Sequence, residues 1–498
     1  MSAKGETRPG EDRLMISISG VRGIVGEALT EKVGEDFAGA FATMLASAER
    51  IDPARRRPLI ALGRDTRPSG PALRDAIVRG LTAGGVDVAD LGVVSTPGVA
   101  LMIKRLRADG GIVITASHNP PPYNGIKFMS PQGVNLPADA ARRLKEIWEG
   151  ARGPQTRGVP LPTYVRTRPD QPGTVTLNDQ THDLHVRAVL EVLDVPAIAA
   201  GKFKVVLDCI NGAGCLGTPR LLERLSCRAS ILNGQPTGQF AHEPEPIEKN
   251  LSHLGRVVRE RKADVGFAQD PDADRLVVVD ETGRFIGEEY TLALATAFVL
   301  GVPKRDESRL GAPRGRKGDV ATNLSTTRMM DDVAAAAGVK LWRTAVGEAH
   351  VAECMLRHGC VFGGEGNGGV MDPRVVLVRD SFVGIGLLLN FLAETGKTVS
   401  QLVSALPRYE MIKDKFPCPL DAAPRILAHV RDTFAGRGGA KINDQDGLRI
   451  DLPEGWTHVR PSNTEPIMRI ITEAARLEDA RAIAAQVRAV ADDILGES

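Results

Sequence analysis

The feature that most constrains this chain is a recurring segment in which a short apolar run is followed by a loop of small and polar residues. Residues 112–114, 205–207, 265–268 and 361–362 are such runs, and each leads directly into a loop of this kind. These strand-like runs alternate with helical patterns through most of the sequence, which favours α/β layers. Because open α/β sheets bind ligands at the carboxyl ends of their strands, these loops are the predicted functional positions.

The length and the end of the chain bear on its domain organisation. At about 150 residues per domain, 498 residues predict about three to four domains. Residues 447–451 and 456–459 alternate as antiparallel strands do, and a helical pattern follows Leu477, which predicts a smaller α+β domain at the end. Residues 152–172 are predicted to be a linker, and the basic insertion 303–317 is predicted to be an exposed loop.

Composition excludes several classes of partner. The chain has 63 Lys and Arg against 62 Asp and Glu, so its net charge of +1 gives no field that would hold nucleic acid or an anionic membrane. Its six cysteines include no C-x-x-C pair and are interpreted as reduced.

Residues 1–13 lack an apolar signal-peptide core, and the apolar run 292–302 is shorter than the ~20 residues of a membrane span. We therefore expect a soluble, cytoplasmic protein.

Three aspartates with a spacing of two form the clearest candidate metal site. Asp270, Asp272 and Asp274 would point their carboxylates the same way in an extended backbone. Converging hard oxygens suit Mg²⁺ or Ca²⁺ rather than zinc. An EF-hand loop would have Gly where Arg275 stands, so that motif is excluded. The alternative is a solvated acidic turn, but three like charges without a cation are costly.

A serine at the end of an apolar run is a candidate phosphoryl carrier. Ser117 and His118 follow the run 112–114, outside the G-x-S-x-G context of a hydrolase. The Asn-Gly pair at 124–125 predicts a tight turn that carries Lys127 back toward Ser117. A serine near a metal, a lysine and a histidine suits phosphoryl transfer. The alternatives are a hydroxyl that caps backbone amides and a hydrogen-bonded loop histidine.

Three further loops offer groups for anion or sugar binding. Residues 460–466 hold an arginine, two hydroxyls and an amide between prolines, a donor set for phosphate that could also be an ordinary turn. Glu365, in a glycine-rich loop, can accept hydrogen bonds from sugar hydroxyls, and Arg22 lies in a short glycine-containing loop. Two G-x-G-x-x-G matches begin at Gly212 and Gly364. A dinucleotide site is disfavoured, because the strand after the first match ends in Asn233 instead of an acid.

Four segments stand out: Thr-Ala-Ser-His-Asn-Pro at 115–120, Asp-Pro-Asp-Ala-Asp-Arg at 270–275, Gly-Glu at 364–365 and Arg-Pro-Ser-Asn-Thr at 460–464. They resemble motifs of the α-D-phosphohexomutase family and occur in the order, and at about the spacing, of that family. The resemblance implies an α/β fold of three similar α/β domains with mixed sheets plus a C-terminal α+β domain around a central cleft. The domains would contribute a phosphoserine loop, a metal loop, a sugar loop and a phosphate loop in turn. Their expected bounds are 1–160, 175–285, 286–400 and 405–498.

The resemblance also implies a role for each candidate residue. Ser117 would be the phosphoserine, and its phosphate and the three aspartates would hold Mg²⁺. Lys127 would be the general base, its pKa lowered by neighbouring arginines. The remaining expected residues around the transferring group are His118, Arg22 and Arg275. The expected substrate-binding residues are Thr344, Gly347, Glu365, Asn367, Arg460, Ser462, Asn463 and Thr464.

The implied activity is a two-step relay between a hexose 6-phosphate and the corresponding 1-phosphate, with a hexose 1,6-bisphosphate as intermediate and activator. The common sugar loop reads Glu-x-Ser-Gly-His, whereas this chain has Asn367 and Gly369 in place of the serine and the histidine. The loop therefore resembles the phosphoglucosamine-mutase-like branch and favours glucosamine phosphate. The alternatives are a phosphoglucomutase/phosphomannomutase with the same mechanism, a metal-dependent phosphatase and a non-catalytic binder of sugar phosphates. Oligomeric state is not predicted.

Overall fold

The structure is a computed structural model that describes residues 14–17, 20–46, 57–151, 171–302, 315–419, 421–462 and 466–496. The chain forms two compact units. Unit 1 comprises Met1–Thr291 and Gly368–Val399, and unit 2 comprises Leu292–Asn367 and Ser400–Ser498. Most of the predicted linker 152–172 and of the basic insertion 303–317 lies outside the described residues.

Unit 1 contains two sheets. The strands of the first are β1 (Met15–Ser17), β2 (Gly20–Ile24), β3 (Leu59–Arg64), β4 (Asp87–Val93), β5 (Gly110–Ile114), β6 (Tyr123–Met129) and β7 (Val175–Leu177), in the order β1-β2-β6-β5-β3-β4-β7. The strands of the second are β8 (Lys204–Asp208), β9 (Arg228–Leu232), β10 (Val265–Gln269) and β11 (Leu276–Val279), in the order β11-β10-β8-β9. Both sheets are mixed, since β6 and β11 each pair antiparallel with a strand that is otherwise in parallel register.

The helices of unit 1 alternate with these strands. They are α1 (Glu31–Ala46), α2 (Gly70–Ala83), α3 (Thr96–Leu106), α4 (Ala138–Gly150), α5 (Thr181–Leu190), α6 (Val195–Gly201), α7 (Gly214–Arg224), α8 (Ser252–Arg261) and α12 (Ser381–Thr395). Strand β5 is buried along its whole length, which explains why its sequence is apolar without alternation. The core beside it includes Phe37, which stacks on Trp148 with ring centroids 4.4 Å apart.

Unit 2 contains a parallel set of strands and an antiparallel sheet. Strands β12 (Val320–Asn323), β13 (Leu341–Thr344) and β14 (Phe362–Glu365) are parallel, with β12 in the middle. Helices α10 (Met329–Ala337) and α11 (Glu348–His358) connect them. The antiparallel sheet has the order β16-β20-β19-β18-β17 and consists of β16 (Glu410–Pro417), β17 (Lys441–Asn443), β18 (Leu448–Asp451), β19 (Gly455–Pro461) and β20 (Ile467–Ala474).

The C-terminal part of unit 2 confirms the predicted α+β arrangement. Helices α14 (Ala422–Ala435) and α15 (Leu477–Gly496) pack against the antiparallel sheet over an apolar core. Three elements remain: α9 (Glu288–Leu300) and α13 (Val399–Ser404) cross the unit boundaries, and β15 (Gly369–Met371) belongs to unit 1. In the described part of the chain, no helix has both the length and the apolar character that a membrane crossing requires.

One local prediction is wrong. The Asn-Gly pair at 124–125 is not a turn but lies within β6, and the chain reverses before Tyr123. The pair has a packing reason instead. A Cβ on Gly125 would lie 2.7 Å from the Thr115 carbonyl oxygen, and the Asn124 amide donates to Ser69 at 2.9 Å. Lys127 reaches the site because β6 pairs antiparallel with β5, opposite Val113.

Candidate active site

The serine loop begins where β5 ends. Ser117 is 1% exposed and has a φ of 49°, a left-handed conformation that is uncommon for a residue with a side chain. Its backbone N–H donates to the Thr115 hydroxyl at 2.9 Å, and that hydroxyl donates to Asp65 at 2.7 Å. These bonds fix the loop in the conformation that presents the Ser117 hydroxyl.

A buried arginine holds the carbonyl side of the same loop. The Arg67 guanidinium is paired with Asp65 at 3.1 Å, and both side chains are 1% exposed or less. It also donates to four backbone carbonyl oxygens at 2.7–3.1 Å, those of Ser117, Asn119, Pro120 and Tyr123. Because a buried carbonyl such as that of Ser117 needs a partner, this one side chain fixes four backbone positions of the loop.

The three aspartates converge, but not in the predicted way. One oxygen of each lies within 4.8 Å of the others, and all three residues are fully buried. The segment is a tight turn rather than an extended strand: the Ala273 N–H donates to the Asp270 carbonyl oxygen at 2.9 Å, and Ala273 has a φ of 53°. The turn, not strand alternation, brings the carboxylates together.

Four of the six carboxylate oxygens in this cluster have hydrogen-bond partners. The Ser117 hydroxyl donates to Oδ2 of Asp270 at 2.7 Å, while Oδ1 of Asp270 accepts from the backbone of the turn. Oδ2 of Asp272 accepts from Lys127 at 2.7 Å and Oδ2 of Asp274 from Lys127 at 3.3 Å. Oδ1 of Asp272 and Oδ1 of Asp274 are buried and have no hydrogen-bond partner among the described residues. Unpaired buried carboxylate oxygens are costly, so this donor set fits a hard divalent cation.

Burial and neighbouring charges shift the pKa values of Asp270 and Asp274 in opposite directions. Burial, and then the Asp274 and Asp272 charges, raise the pKa of Asp270 well above its ordinary value. Burial also opposes ionisation of Asp274, but Arg379 first, and then Lys127, outweigh it and hold its pKa below the ordinary value. Without a cation, the surroundings therefore favour proton binding at Asp270 and oppose it at Asp274.

The predicted cationic residues lie beside this cluster. Arg22 donates to the Asn119 side chain at 3.1 Å, and Nε of Arg275 lies 4.0 Å from Asp274. The Arg275 charge, burial and Arg22 lower the pKa of His118 well below its ordinary value, so the imidazole is neutral at neutral pH. Its Nδ1 lies 3.4 Å from the Ser117 hydroxyl.

Lys127 has different neighbours from those predicted. The prediction placed it among arginines, which would lower its pKa, but the structure pairs its ammonium with two carboxylates, Asp272 and Asp274. The reason is topological: the β6 residue opposite Val113 faces the end of β10, where the aspartate turn begins. These carboxylates favour the charged ammonium.

In unit 2, Glu365 at the end of β14 is the centre of a second polar group. It is 4% exposed, and its Oε1 accepts from the Asn323 amide at 2.8 Å and from the Gly347 N–H at 3.2 Å. The Asn367 amide nitrogen lies 3.5 Å from Oε2. The side-chain oxygen Oδ1 of Asn367 is buried and has no hydrogen-bond partner among the described residues. Thr344 ends β13, where its hydroxyl donates to the carbonyl oxygen of the next residue.

The predicted phosphate loop connects to this group through an aspartate. Oδ2 of Asp446 accepts from the Val346 N–H at 2.9 Å and lies 3.4 Å from Nε of Arg460. The Ser462 N–H donates across the loop to the Ile467 carbonyl oxygen at 2.8 Å. Asn463 and Thr464, also predicted to bind substrate, lie outside the described residues.

Sequence reasoning missed several residues that hold these groups. The Thr96 hydroxyl donates to Oδ2 of Asp272 at 2.5 Å. Asp65, Thr96 and Asn323 each lie at or shortly after the end of a strand, so the rule used for the other loops would have found them. Arg379 follows no strand end, and only its neighbours in the structure identify it. The first G-x-G-x-x-G match has a packing explanation, because a Cβ on Gly212 would lie 2.7 Å from the Pro271 carbonyl oxygen in the aspartate turn.

Known proteins match this chain along most of its length. Four family models, described as phosphoglucomutase/phosphomannomutase alpha/beta/alpha domains I, II and III and C-terminal domain, match residues 14–153, 183–283, 306–409 and 412–490 respectively. A curated "Phosphoglucomutase/phosphomannomutase" of Thermococcus kodakarensis is 38% identical, over 93% of this chain and 95% of the relative. A "Probable phosphoglucosamine mutase" of Methanopyrus kandleri is 36% identical, over 93% and 94%.

Solved structures agree with these matches. The crystal structure of a phosphoglucomutase/phosphomannomutase family protein from Burkholderia thailandensis is 26% identical, with a TM-score of 0.78 over 96% of this chain and 98% of that one. The match covers the three α/β domains and the C-terminal domain in the order that the sequence motifs predicted. The chain therefore belongs to the α-D-phosphohexomutase family of isomerases.

Proposed function

We propose that the protein interconverts glucosamine 6-phosphate and glucosamine 1-phosphate through a phosphorylated Ser117 and a 1,6-bisphosphate intermediate. The observation that carries this proposal is the Ser117 hydroxyl, 2.7 Å from Asp270 in a cluster where two carboxylate oxygens have no hydrogen-bond partner in the described part of the chain. A serine that only capped backbone amides would not need three buried aspartates beside it.

The aspartates and an oxygen on Ser117 would hold Mg²⁺. When bound, the ion would withdraw charge from the phosphoryl oxygens. Arg22 and Arg275 add positive charge around the transferring group, which phosphoryl transfer requires. We assign the proton acceptor to Lys127, which can act as a base only after its ammonium has lost a proton against the attraction of Asp272 and Asp274. The neutral imidazole of His118 lies beside the Ser117 hydroxyl.

The residues of unit 2 would bind the rest of the substrate. Glu365, held by Asn323 and the Gly347 N–H, can accept hydrogen bonds from sugar hydroxyls. Arg460 and Ser462, together with Asn463 and Thr464, would bind the phosphate that is not transferred. The side-chain oxygen Oδ1 of Asn367, which has no hydrogen-bond partner in the described part of the chain, is an acceptor suited to an amino group and supports glucosamine phosphate.

A second candidate keeps the mechanism and uses glucose and mannose phosphates. It is supported by the 38% identity to the Thermococcus kodakarensis protein named phosphoglucomutase/phosphomannomutase. A third candidate, a phosphatase with Ser117 as nucleophile, would share the serine and the aspartates.

The test is ³¹P NMR of the purified protein with Mg²⁺ and a trace of hexose 1,6-bisphosphate. Glucosamine 6-phosphate, glucose 1-phosphate and mannose 1-phosphate are assayed in parallel. Exchange between positions 1 and 6 that is fastest with glucosamine phosphate supports the proposal, and comparable exchange with neutral sugars supports the second candidate. Release of inorganic phosphate without exchange would exclude a mutase and support the phosphatase.

A further inference from the structure

Arg379, immediately before α12, reaches the aspartate turn. Its guanidinium donates to Oδ2 of Asp274 at 2.7 Å, and its side chain is 10% exposed. The backbone at this point is well fixed. Asp380 accepts from the Phe382 N–H at 2.9 Å at the start of α12 and contacts the buried His185 ring at 2.7 Å. The Arg379 side chain therefore extends from a rigid support.

The same segment contacts the turn at a second point. The Ser381 hydroxyl donates to the Ala273 carbonyl oxygen at 2.6 Å and accepts from the Gln269 amide at 2.6 Å. Ala273 is the residue of the turn with the unfavourable positive φ. The segment thus holds the backbone of the turn with Ser381 and one of its carboxylates with Arg379.

The lack of a side chain at Gly369 leaves room for the Arg379 side chain. A Cβ at position 369 would lie 2.1 Å from Cδ of Arg379, 2.6 Å from Cγ and 3.2 Å from Cβ. These are the near parts of the side chain, which cannot move aside without withdrawing the guanidinium. Gly369 is not among the glycines with a positive φ, so its backbone would accept alanine. Position 369 is also where the common family pattern has histidine.

We propose that Arg379 is a positioning residue for the metal site, and that residue 369 is glycine because Arg379 must pass over it. Arg379 holds Oδ2 of Asp274, so the oxygen left available to a cation is Oδ1, which has no hydrogen-bond partner among the described residues and lies 4.0 Å from Nε of Arg275. The inference rests on the proposed metal-dependent function and adds to it a residue that acts through Asp274.

The first test measures metal affinity directly. Binding of Mn²⁺, a spectroscopic substitute for Mg²⁺, is followed by electron paramagnetic resonance in the wild type, Arg379→Ala and Arg374→Ala. Arg374 is a matched control, since it pairs at 2.6 Å with Asp372, outside the aspartate cluster. We expect Arg379→Ala to weaken Mn²⁺ binding by about 10-fold and to lower kcat by about 10- to 100-fold with KM little changed. We expect Arg374→Ala to match the wild type.

The outcomes separate the two proposals. A wild type that binds no Mn²⁺ would refute the proposed metal site itself. If the wild type binds and Arg379→Ala binds as tightly or more tightly, only the positioning role is overturned. Thermal unfolding by circular dichroism identifies any variant that fails to fold, and Arg379→Gln, which keeps a donor and most of the side-chain volume, then replaces Arg379→Ala.

A double-mutant cycle tests the role of Gly369. Gly369→Ala alone should reduce kcat and Mn²⁺ affinity about as much as Arg379→Ala, because it displaces the guanidinium. With Arg379→Ala already present the clash is gone, so adding Gly369→Ala should cost less than 2-fold more. Additive losses would mean that Gly369 has a separate role, and the second part of the proposal would be wrong.

Discussion

Two polar regions of the molecule, one in each unit, use charge in different ways. The serine–aspartate region of unit 1 (Ser117, Lys127 and residues 270–274) packs ionisable groups against one another with almost no exposure. The Glu365–Arg460 region of unit 2 (Glu365, Asn323, Asp446 and Arg460) has fewer charges, and the carboxylate of Glu365 is held by neutral amide donors.

The difference fits the tasks proposed for the two regions. Charge development during phosphoryl transfer is stabilised best by groups that are already oriented in a water-poor site. A recognition region that must accept either end of a sugar bisphosphate benefits instead from neutral partners, which orient a carboxylate without cancelling its charge. Variants in the first region should therefore act on kcat and on metal binding, and variants in the second on substrate affinity.

The largest effect is expected at the serine. Ser117→Ala removes the only atom that can carry the phosphoryl group in this mechanism, so kcat should fall by more than about 10³-fold. Turnover is measured by a coupled assay, and transfer of label from a ³²P-labelled hexose bisphosphate reports the phosphoserine. Ser404→Ala, at an exposed position in α13, is the control. Labelling of the Ser117→Ala protein at the wild-type level would rule out the carrier role.

The next largest effect is expected from metal removal, which should affect the serine–aspartate region and not the Glu365–Arg460 region. Chelation by EDTA should lower kcat by about 10²-fold or more, and added Mg²⁺ should restore it. Mg²⁺ should also raise Tm, because it binds the folded state. Asp272→Asn should abolish this Tm shift, whereas Glu365→Gln should keep it. Loss of the shift in both variants would contradict the division of roles.

Substitutions in the Glu365–Arg460 region should have smaller effects. Glu365→Gln weakens charge-assisted hydrogen bonds to the sugar and should lower kcat/KM by about 10- to 100-fold. Arg460→Ala should mainly raise KM, by about 10-fold. Steady-state kinetics with saturating Mg²⁺ distinguishes the two parameters. An unchanged KM in Arg460→Ala would remove this residue from the phosphate site.

The smallest effect is expected from pH. Burial is the main cause that lowers the pKa of His458, in β19, to about 4. Between about pH 6.5 and 4, His458 is protonated in the unfolded chain but stays neutral in the folded chain. The free energy of unfolding therefore falls as pH falls, and this residue contributes at most about 1.4 kcal/mol per pH unit. Urea unfolding at several pH values should show a shallower slope for His458→Gln than for the exposed control His253→Gln. Equal slopes would contradict the assignment.

Much of the fold could be predicted from periodicity and strand-end loops. Fully buried strands such as β5 are continuous apolar runs. The sequence of the antiparallel strand β18 alternates between apolar and charged residues, although the structure buries both kinds over most of the strand. The Asn-Gly pair at 124–125 misled the prediction because its turn propensity is overridden by tertiary packing against Thr115 and Ser69. Local signals of this kind are weak against contacts made far along the chain.

The candidate site was predictable in its reactive groups but not in their support. Ser117 and the aspartates have distinctive spacing, whereas Arg67 and Arg379 act on partners 50 and 105 residues away. The partners of Lys127 were mispredicted for the same reason, since side-chain contact between the two sheets of unit 1 decides which charges it meets. Long-range contacts between side chains leave no periodic trace in the sequence.

The hydrogen-bond arrangement around Arg67 has a consequence for how the serine loop opens. Its guanidinium and Asp65 join the loop to the end of β3, so the loop cannot open alone without breaking four hydrogen bonds to backbone carbonyls, including the buried carbonyl of Ser117, and an ion pair to a buried carboxylate. Amide exchange at Ser117 should therefore proceed only through an opening that also releases β3. The phosphoryl carrier would then be among the most slowly exchanging parts of unit 1, an unusual property for a reactive loop.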